Sequence, residues 1–437
     1  MIQSSRFLRN FLLLLVPWMA LILVLPAFAF EGGADGQDPT WWFRLRSTGY
    51  AFQTEERSGA VLDRFGAYQQ FDGSVAGLAG GRLAIRASGR AYDDLYLAER
   101  DNDRARLYTA YGDVKITPEL RAKIGRQFLH EGAAGLTVDG LWLSAKPRGP
   151  VEVRAWGGAR APIAVPYRDR VGDFGDDAVL GARVLYDPCR FWRSSVSFAY
   201  LEKDDVVSAR PLGFETTFRA RFDLRATGRA AYDMLEERWT RVEGHVQFRR
   251  TPECPVITLQ FVDRYPTIER NSYFSRFDAY RARIGRASIR REHRSGFGAE
   301  IDYMGAFVEE RTSTRVGGAA LFPLGRIGYS VRVGDAGEES RWFGDIRVTA
   351  TPWLSLEGGA TFTTYALLQD APSELERDLT VAFGRVRILA RRGAAITLEI
   401  QSVDTPFFEE DIRVLGGLDL TMGRGRGAFG LGRGGWL

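Results

Sequence analysis

Arg82-Leu83-Ala84-Ile85-Arg86-Ala87-Ser88-Gly89-Arg90 decides how the rest of the chain is read. Leu83, Ile85 and Ala87 alternate with Arg82, Arg86, Ser88 and Arg90, and Ala84 is the one small residue in the polar series. A period of two gives a strand one apolar face and one wet face. Trp41-Trp42-Phe43-Arg44-Leu45-Arg46 and Ile396-Thr397-Leu398-Glu399-Ile400-Gln401 repeat the pattern. It recurs about twenty times between Thr40 and Met422, with no helical stretch and no long apolar run. A soluble sandwich would carry this alternation in patches; here it is almost continuous, as when lipid faces one side of each strand and water the other. The expected fold is therefore all-β: a single antiparallel transmembrane β-barrel, an up-and-down meander.

Breakers and alternation together place strands near 41–53, 64–79, 82–92, 104–116, 121–128, 136–145, 151–160, 178–186, 191–202, 213–222, 224–234, 238–250, 256–263, 274–289, 297–308, 312–322, 326–334, 341–350, 354–366, 378–390, 395–403 and 411–422. That is about 22 strands, within a range of about 18 to 22, and an even number as single-chain bacterial barrels have. The connections fall into two alternating classes. After even-numbered strands they are tight and rich in Pro or Gly, as at Gly80-Gly81, Thr117-Pro118-Glu119, Pro147 to Pro150, Asp187-Pro188, Thr251-Pro252, Pro323-Leu324-Gly325, Thr351-Pro352 and Arg392-Gly393. After odd-numbered strands they are longer and more acidic: Asp93 to Asp103, Pro162 to Asp177, Glu202 to Ala209, Asp263 to Tyr273, Gln369 to Glu376 and Asp404 to Glu410. Short periplasmic turns and long extracellular loops give this rhythm. It places both ends of the barrel in the periplasm.

Upstream, Arg6 and Arg9 precede the apolar run Phe11 to Leu25, and Ala27-Phe28-Ala29 has the small-x-small form of a cleavage site. Residues 1–29 read as a secretory signal peptide, interrupted by Pro17 and Pro26 and short for a membrane span. The expected organisation continues with a periplasmic lead-in at 30–40, the barrel at 41–422 and a Gly/Arg-rich tail at 423–437. So short a lead-in encodes no N-terminal plug domain. Hydrophobic residues make up 45% of the chain and charged residues 26%, which excludes a disordered tail and a helical membrane protein. The formal charge of +4 falls to +2 once Arg6 and Arg9 are removed, so position says more than sum.

By alternation the outer face carries Leu83, Ile85, Phe214, Phe218, Val242, Val246, Phe248, Ile327, Tyr329, Val331, Leu356, Phe362, Ile396, Leu398 and Ile400. The inner face gathers arginines. Selectivity candidates are Arg82, Arg86, Arg154, Arg219, Arg221, Arg225, Arg229, Arg241, Arg281, Arg283, Arg385 and Arg387, with Arg90, Arg183, Arg332, Arg347 and Arg413 beside them. Inward acids are fewer: Asp113, Glu152, Glu215, Asp233, Glu243, Glu357, Glu399 and Asp419. A net basic lumen favours anions, although the same arginines could instead brace the wall by pairing with acids. Trp41, Trp42, Tyr92, Tyr232, Trp342, Trp353 and Tyr365 sit near strand ends, where interface girdles belong.

No catalytic or metal constellation is present. His130, His245 and His293 match no ligand spacing, and no G-x-S-x-G occurs, so neither enzyme chemistry nor a metal or other cofactor is expected. The Arg/Gly tail is of a type seen in nucleic-acid binders, but an exported chain does not meet nucleic acid. An oxidising compartment allows a Cys189–Cys254 disulfide. Two strand pairs separate the turns that hold them, however, on the order of 15–20 Å along a rim at about 4.8 Å per strand. A bridge needs Cα atoms within about 7 Å. Separate thiols are expected.

Gly125-Arg126-Gln127-Phe128-Leu129, followed by Asp139-Gly140-Leu141-Trp142-Leu143, resembles the "GRQ … DG" hairpin of bacterial porin-like outer-membrane proteins. The resemblance covers about 20 residues and implies an up-going strand, a loop and a down-going strand in a barrel of the cell outer membrane. It carries no constriction residue across. A chain ending in Gly-Trp436-Leu437, and the high strand count, both depart from trimeric general porins. The expected function is passive passage of small polar or anionic solutes, with outer-membrane lipid as the surrounding partner. The alternative is a sheath whose lumen is filled by a periplasmic or lipoprotein partner, for example an electron carrier in an envelope-spanning complex.

Overall fold

The computed structural model describes residues 39–424 apart from 57–60, 95–103, 133, 148, 162–176, 221–222, 252, 267–278, 336, 367–376, 392 and 406–407. Residues 1–38, expected to hold a signal peptide and most of the lead-in, and residues 425–437 lie outside the described residues. What is described is one antiparallel sheet closed on itself. Its strands are β1 (Thr40–Glu56), β2 (Val61–Gly77), β3 (Leu83–Asp94), β4 (Arg104–Lys115), β5 (Leu120–Glu131), β6 (Ala134–Ala145), β7 (Val151–Arg160), β8 (Ala178–Cys189), β9 (Trp192–Lys203), β10 (Val206–Ala209), β11 (Pro211–Ala220), β12 (Leu224–Asp233), β13 (Arg238–Phe248), β14 (Val256–Arg264), β15 (Ala282–Glu292), β16 (Gly298–Val308), β17 (Arg311–Phe322), β18 (Gly325–Gly334), β19 (Glu338–Thr351), β20 (Leu354–Ala366), β21 (Arg377–Arg391), β22 (Ala394–Asp404) and β23 (Phe408–Arg424).

β10 and β11 run end to end along β9 with a break at Arg210, so the wall has 22 staves. Each pairs with the next in sequence, and β1 closes on β23 from Trp41↔Arg424 to Glu55↔Glu410. A closed barrel is the one all-strand solution in which no edge is left in hydrocarbon. The barrel therefore takes in Thr40 at one end and Gly423 and Arg424 at the other.

Alternation assigns the faces as the sequence suggested. Ile85 (45% exposed), Ile327 (55%), Leu398 (47%) and Ile400 (51%) stand outward, as do Phe214, Phe218, Leu356 and Phe362. Tyr329, Trp342 and Phe362 follow one another across three strands, and the first two rings lie 4.5 Å apart. Such exposure would be costly in water; in a bilayer it is the contact surface.

Three expectations need correction. The segment Glu202 to Ala209 is not a loop: Asp204 and Asp205 form a two-residue turn with φ of 51° and 60°, and strand continues on both sides. Aspartate tolerates the left-handed region, and a pair in it matches the twist of a tight hairpin. The strand placed at 274–289 begins at Ala282, and β14 runs on to Arg264. Tyr92 does not join an outer girdle. It pairs with Tyr68, its hydroxyl lies 3.0 Å from that of Tyr50, and all three share the polar face of Arg44 and Gln70. The longest connections, residues 161–177, 265–281 and 367–376, share the rim opposite the chain ends. On that rim Asp335 accepts from the Thr312 backbone N–H and hydroxyl, which hold its carboxyl below the usual carboxylate range.

Leu259 is 49% exposed on the outer face of β14, and Thr258 beside it faces Gln247 and Ser288. Leu259→Arg should cost about 2–4 kcal/mol if it lies near mid-bilayer, seen as loss of the compact, heat-modifiable band on gels. Thr258→Arg should leave that band in place. Equal damage from both would refute the face assignment.

Candidate functional site: a hairpin folded into the lumen

The lumen arginines fall into two groups. One group is tied to carboxylates on the wall. Arg44 bonds Asp419, Arg121 bonds Asp113, Arg241 contacts Glu243 at 2.6 Å, and Arg385 bridges Glu399 (2.5 Å) and Glu357 (3.1 Å). Arg229 contacts Glu215 at 3.2 Å. The other group, Arg86, Arg219, Arg225 and Arg387, has no carboxylate at ion-pair distance among the described residues. Arg219 and Arg225 stand directly opposite each other across β11 and β12. Asp233, one of the few inward acids, does not offset them: it is 1% exposed and accepts from the Leu235 and Arg210 backbone N–H groups.

Four further candidates fall elsewhere. Arg82 sits in the turn before β3, exposed, with its carbonyl accepting from Lys115 N–H. Arg221 lies outside the described residues. Arg281 and Arg283 belong to the outer face, which corrects their placement in the lumen: Arg283 is opposite Asp263 and Phe307, in line with Leu259, Phe261 and Ile289. The sequence alternates on both strands, but Arg281, Arg283 and Asp263 lie at the loop end, where an ion pair can sit above the apolar belt. Arg281 and Arg283 contact Asp263 at 2.5 and 3.5 Å. Cys189 and Cys254 are both free.

The least regular part of the wall is the GRQ … DG hairpin. β4 and β5 pair only from Lys115↔Arg121 to Ala110↔Arg126, although both strands continue. At that point Gly125 has φ of 120°, and a Cβ there would lie 2.3 Å from the Ala110 carbonyl oxygen. Only glycine lets β5 turn away. Arg126 closes the fork: its Nε and Nη2 hold the Asp139 carboxylate at 2.7 and 2.8 Å, and its Nη1 donates to the Leu107 carbonyl at 3.2 Å. The ion pair is buried, and a planar fork matched to a carboxylate suits it.

Beyond the fork the β5–β6 tip crosses the inside of the barrel. Four strand spacings separate β5 from β9, about 19 Å along the wall. Yet a Cβ on Gly132, at the turn, would lie 2.1 Å from Ser197 Oγ on β9. Glu131 reaches Arg154 on β7 at 3.1 Å and Arg183 on β8 at 3.3 Å, and accepts from Trp142 Nε1 at 3.1 Å. The tip can do this only by leaving the wall and lying on the inner faces of its neighbours. Its apolar side meets theirs: Leu129, Leu136, Val138, Trp142, Trp156, Val179 and Ala199 form a buried cluster.

Around Glu131 the charges alternate. Glu152 holds Arg154 at 2.7 Å; Arg154 and Arg183 share Glu131; Arg183 bonds Glu215, which also holds Arg229. Arg183 Nη2 donates to Ser195 Oγ at 2.8 Å. Sequence reading placed Arg154, Arg183, Glu152 and Glu215 on the inner face but passed over Glu131, assigning 129–135 to a loop. The one available signal was the alternation Gln127, Leu129, Glu131 running past Phe128.

Seen whole, the fold superposes on the P pilus usher (PapC) translocation pore over 87% of this chain and 99% of that one, with a TM-score of 0.50 at 9% identity. Pseudomonas aeruginosa OccK11 (OpdR) matches with a TM-score of 0.41 at 11% identity, over 89% of this chain and 97% of that chain. Acinetobacter baumannii OccAB1 matches with a TM-score of 0.41 at 10% identity, over 90% and 99%. No family model and no curated protein matches the sequence. At these identities the likeness is one of fold. The chain shares the closed antiparallel barrel of the PapC pore, and its apolar exterior is suited to a lipid bilayer.

Arg183→Ala should cost about 3 kcal/mol in denaturant unfolding, the lower end for a broken buried pair because Arg154 and Arg229 remain on its two carboxylates. Arg193, 64% exposed and 2.7 Å from Asp187, is a surface pair. Arg193→Ala should cost less than about 1 kcal/mol. Similar costs would refute the buried network.

Proposed function

We propose that this barrel is a passive outer-membrane channel for small polar solutes, with a lumen that favours anions. One observation carries the reading: Arg219 and Arg225 face each other on the lumen side of the wall with no carboxylate at ion-pair distance among the described residues. Like charges directly opposite are unfavourable in a sheet. Such a pair is tolerated where mobile anions screen it, and its field then raises their local concentration. Arg86 and Arg387 extend the uncompensated charge to other sectors of the lumen. The paired arginines brace the wall and add little net field.

Passage is proposed to run past the inward tip, through the part of the lumen it leaves open. The short-turn rim is assigned to the periplasm and the rim with residues 161–177 to the outside. A tag at 147–149 would then be hidden on intact cells, while one at 168–169 would be labelled. The sheath alternative finds less support, because the β5–β6 tip occupies lumen that a partner would need.

A charge about 10 Å from a passing ion is worth about 0.4 kcal/mol in water. Removing two, as in Arg219→Gln with Arg225→Gln, shifts anion and cation by about 0.8 kcal/mol in opposite senses, so the anion-to-cation permeability ratio should fall about fifteenfold in dilute salt, measured from reversal potentials in a planar bilayer. The effect should vanish near 1 M salt, where the screening length is about 3 Å. An unchanged ratio at low salt would overturn the anion preference.

A further inference from the structure

Glu131 is carried into the lumen by a segment that has left the wall, while the donors that hold it stay on the wall. Arg154 at 3.1 Å, Arg183 at 3.3 Å and Trp142 Nε1 at 3.1 Å converge on its carboxylate from three successive strands. With the tip removed, the same three groups would face an incoming anion. We propose that Glu131 is an internal stand-in for such an anion: the β5–β6 tip is a latch occupying a carboxylate-binding site, and small hydroxylated carboxylates compete with Glu131 for it and release the tip. The inference rests on the channel reading.

Two independent features support a ligand site rather than a simple brace. First, the arginines are held from behind. Glu152 keeps Arg154, and Glu215 with Ser195 keeps Arg183, so the site survives the departure of Glu131. Second, the enclosure has polar capacity that the tip does not use. Trp156 Nε1 and Arg183 Nε, both on the wall, are buried without a hydrogen-bond partner, in residues 4% and 9% exposed. Buried polar atoms normally find partners. A solute with hydroxyls beside its carboxylate offers acceptors for both, which Glu131 alone does not.

The tip also has a second place to go. It bends at Gly125, and the β4–β5 ladder stops at Ala110↔Arg126 while both strands run on. A released tip would lengthen that ladder and clear the inner faces of β8 and β9. This gives the two discrete arrangements that a gate requires.

The test uses the full chain in planar bilayers of potassium chloride, with Cys189 and Cys254 replaced by Ser, gluconate as the anion and glucose as its uncharged control. Gly132→Cys with Ser197→Cys joins the tip to β9. With the bond reduced, gluconate should raise mean conductance at least twofold and glucose should not. With the bond formed, conductance should stay low and ignore gluconate. Glu131→Gln should conduct at the raised level without gluconate. Equal conductance with the bond formed and reduced, or a Glu131→Gln pore that behaves like its parent, overturns the latch and leaves the channel standing. A barrel that assembles yet is silent in every state overturns the channel reading and the latch with it.

Discussion

Hydrocarbon offers no water to satisfy a backbone N–H or C=O, and each unsatisfied group costs several kcal/mol. That requirement organises the whole molecule. It forces the sheet to close, which the β1–β23 register does over nearly the full length of both strands. It also sets the two-residue period, since a closed wall has one side in lipid and one in water. Where the wall departs from the rule, at the β4–β5 fork, a guanidinium is placed to cap the Leu107 carbonyl and to pair with Asp139. The departure is possible because a side chain supplies what the missing ladder would have given.

The lumen follows a different logic. Its charges are solvated enough to be tolerated and enclosed enough to interact, so their arrangement matters more than their number. Carboxylates shared by two arginines, such as Glu131 and Glu215, lock neighbouring strands together, and separating one partner from such a set costs more than the set contributes net. Arg219 and Arg225 break the pattern. On the channel proposed above, a local arrangement that opposes stability is where function would set the terms.

Much of the barrel is legible in the sequence because strand period and turn chemistry are local. All 22 strands lie where alternation put them, to within a few residues at most ends, and Ile85, Leu398 and Ile400 face as read. The failures are equally physical. Asp204-Asp205 was hidden because two acidic residues read as a loop, whereas their left-handed backbone makes the tightest of turns. Arg281 and Arg283 were misassigned because alternation gives parity, not height, and near a rim charge is allowed on either face. The inward tip was invisible for a deeper reason. Gly132 and Ser197 become neighbours in consequence of the bend at Gly125, and nothing in the spacing of 132 and 197 encodes it. The GRQ … DG resemblance marked the right hairpin but not its direction.

Closure has a consequence for how the molecule comes into being. Trp41 and Arg424 are partners in the final ladder, yet nearly the whole chain lies between them. The entropy of bringing such distant ends together is modest, about 5 kcal/mol by the logarithmic law for loops. Sixteen successive pairs along the seam outweigh it easily. The difficulty is one of time: every other strand meets a neighbour made just before it, whereas β1 must wait with a bare edge until β23 arrives. An exposed edge is a template for unwanted pairing. The first strand made is therefore the last to be completed, and the interval between is the most vulnerable moment in the life of this protein.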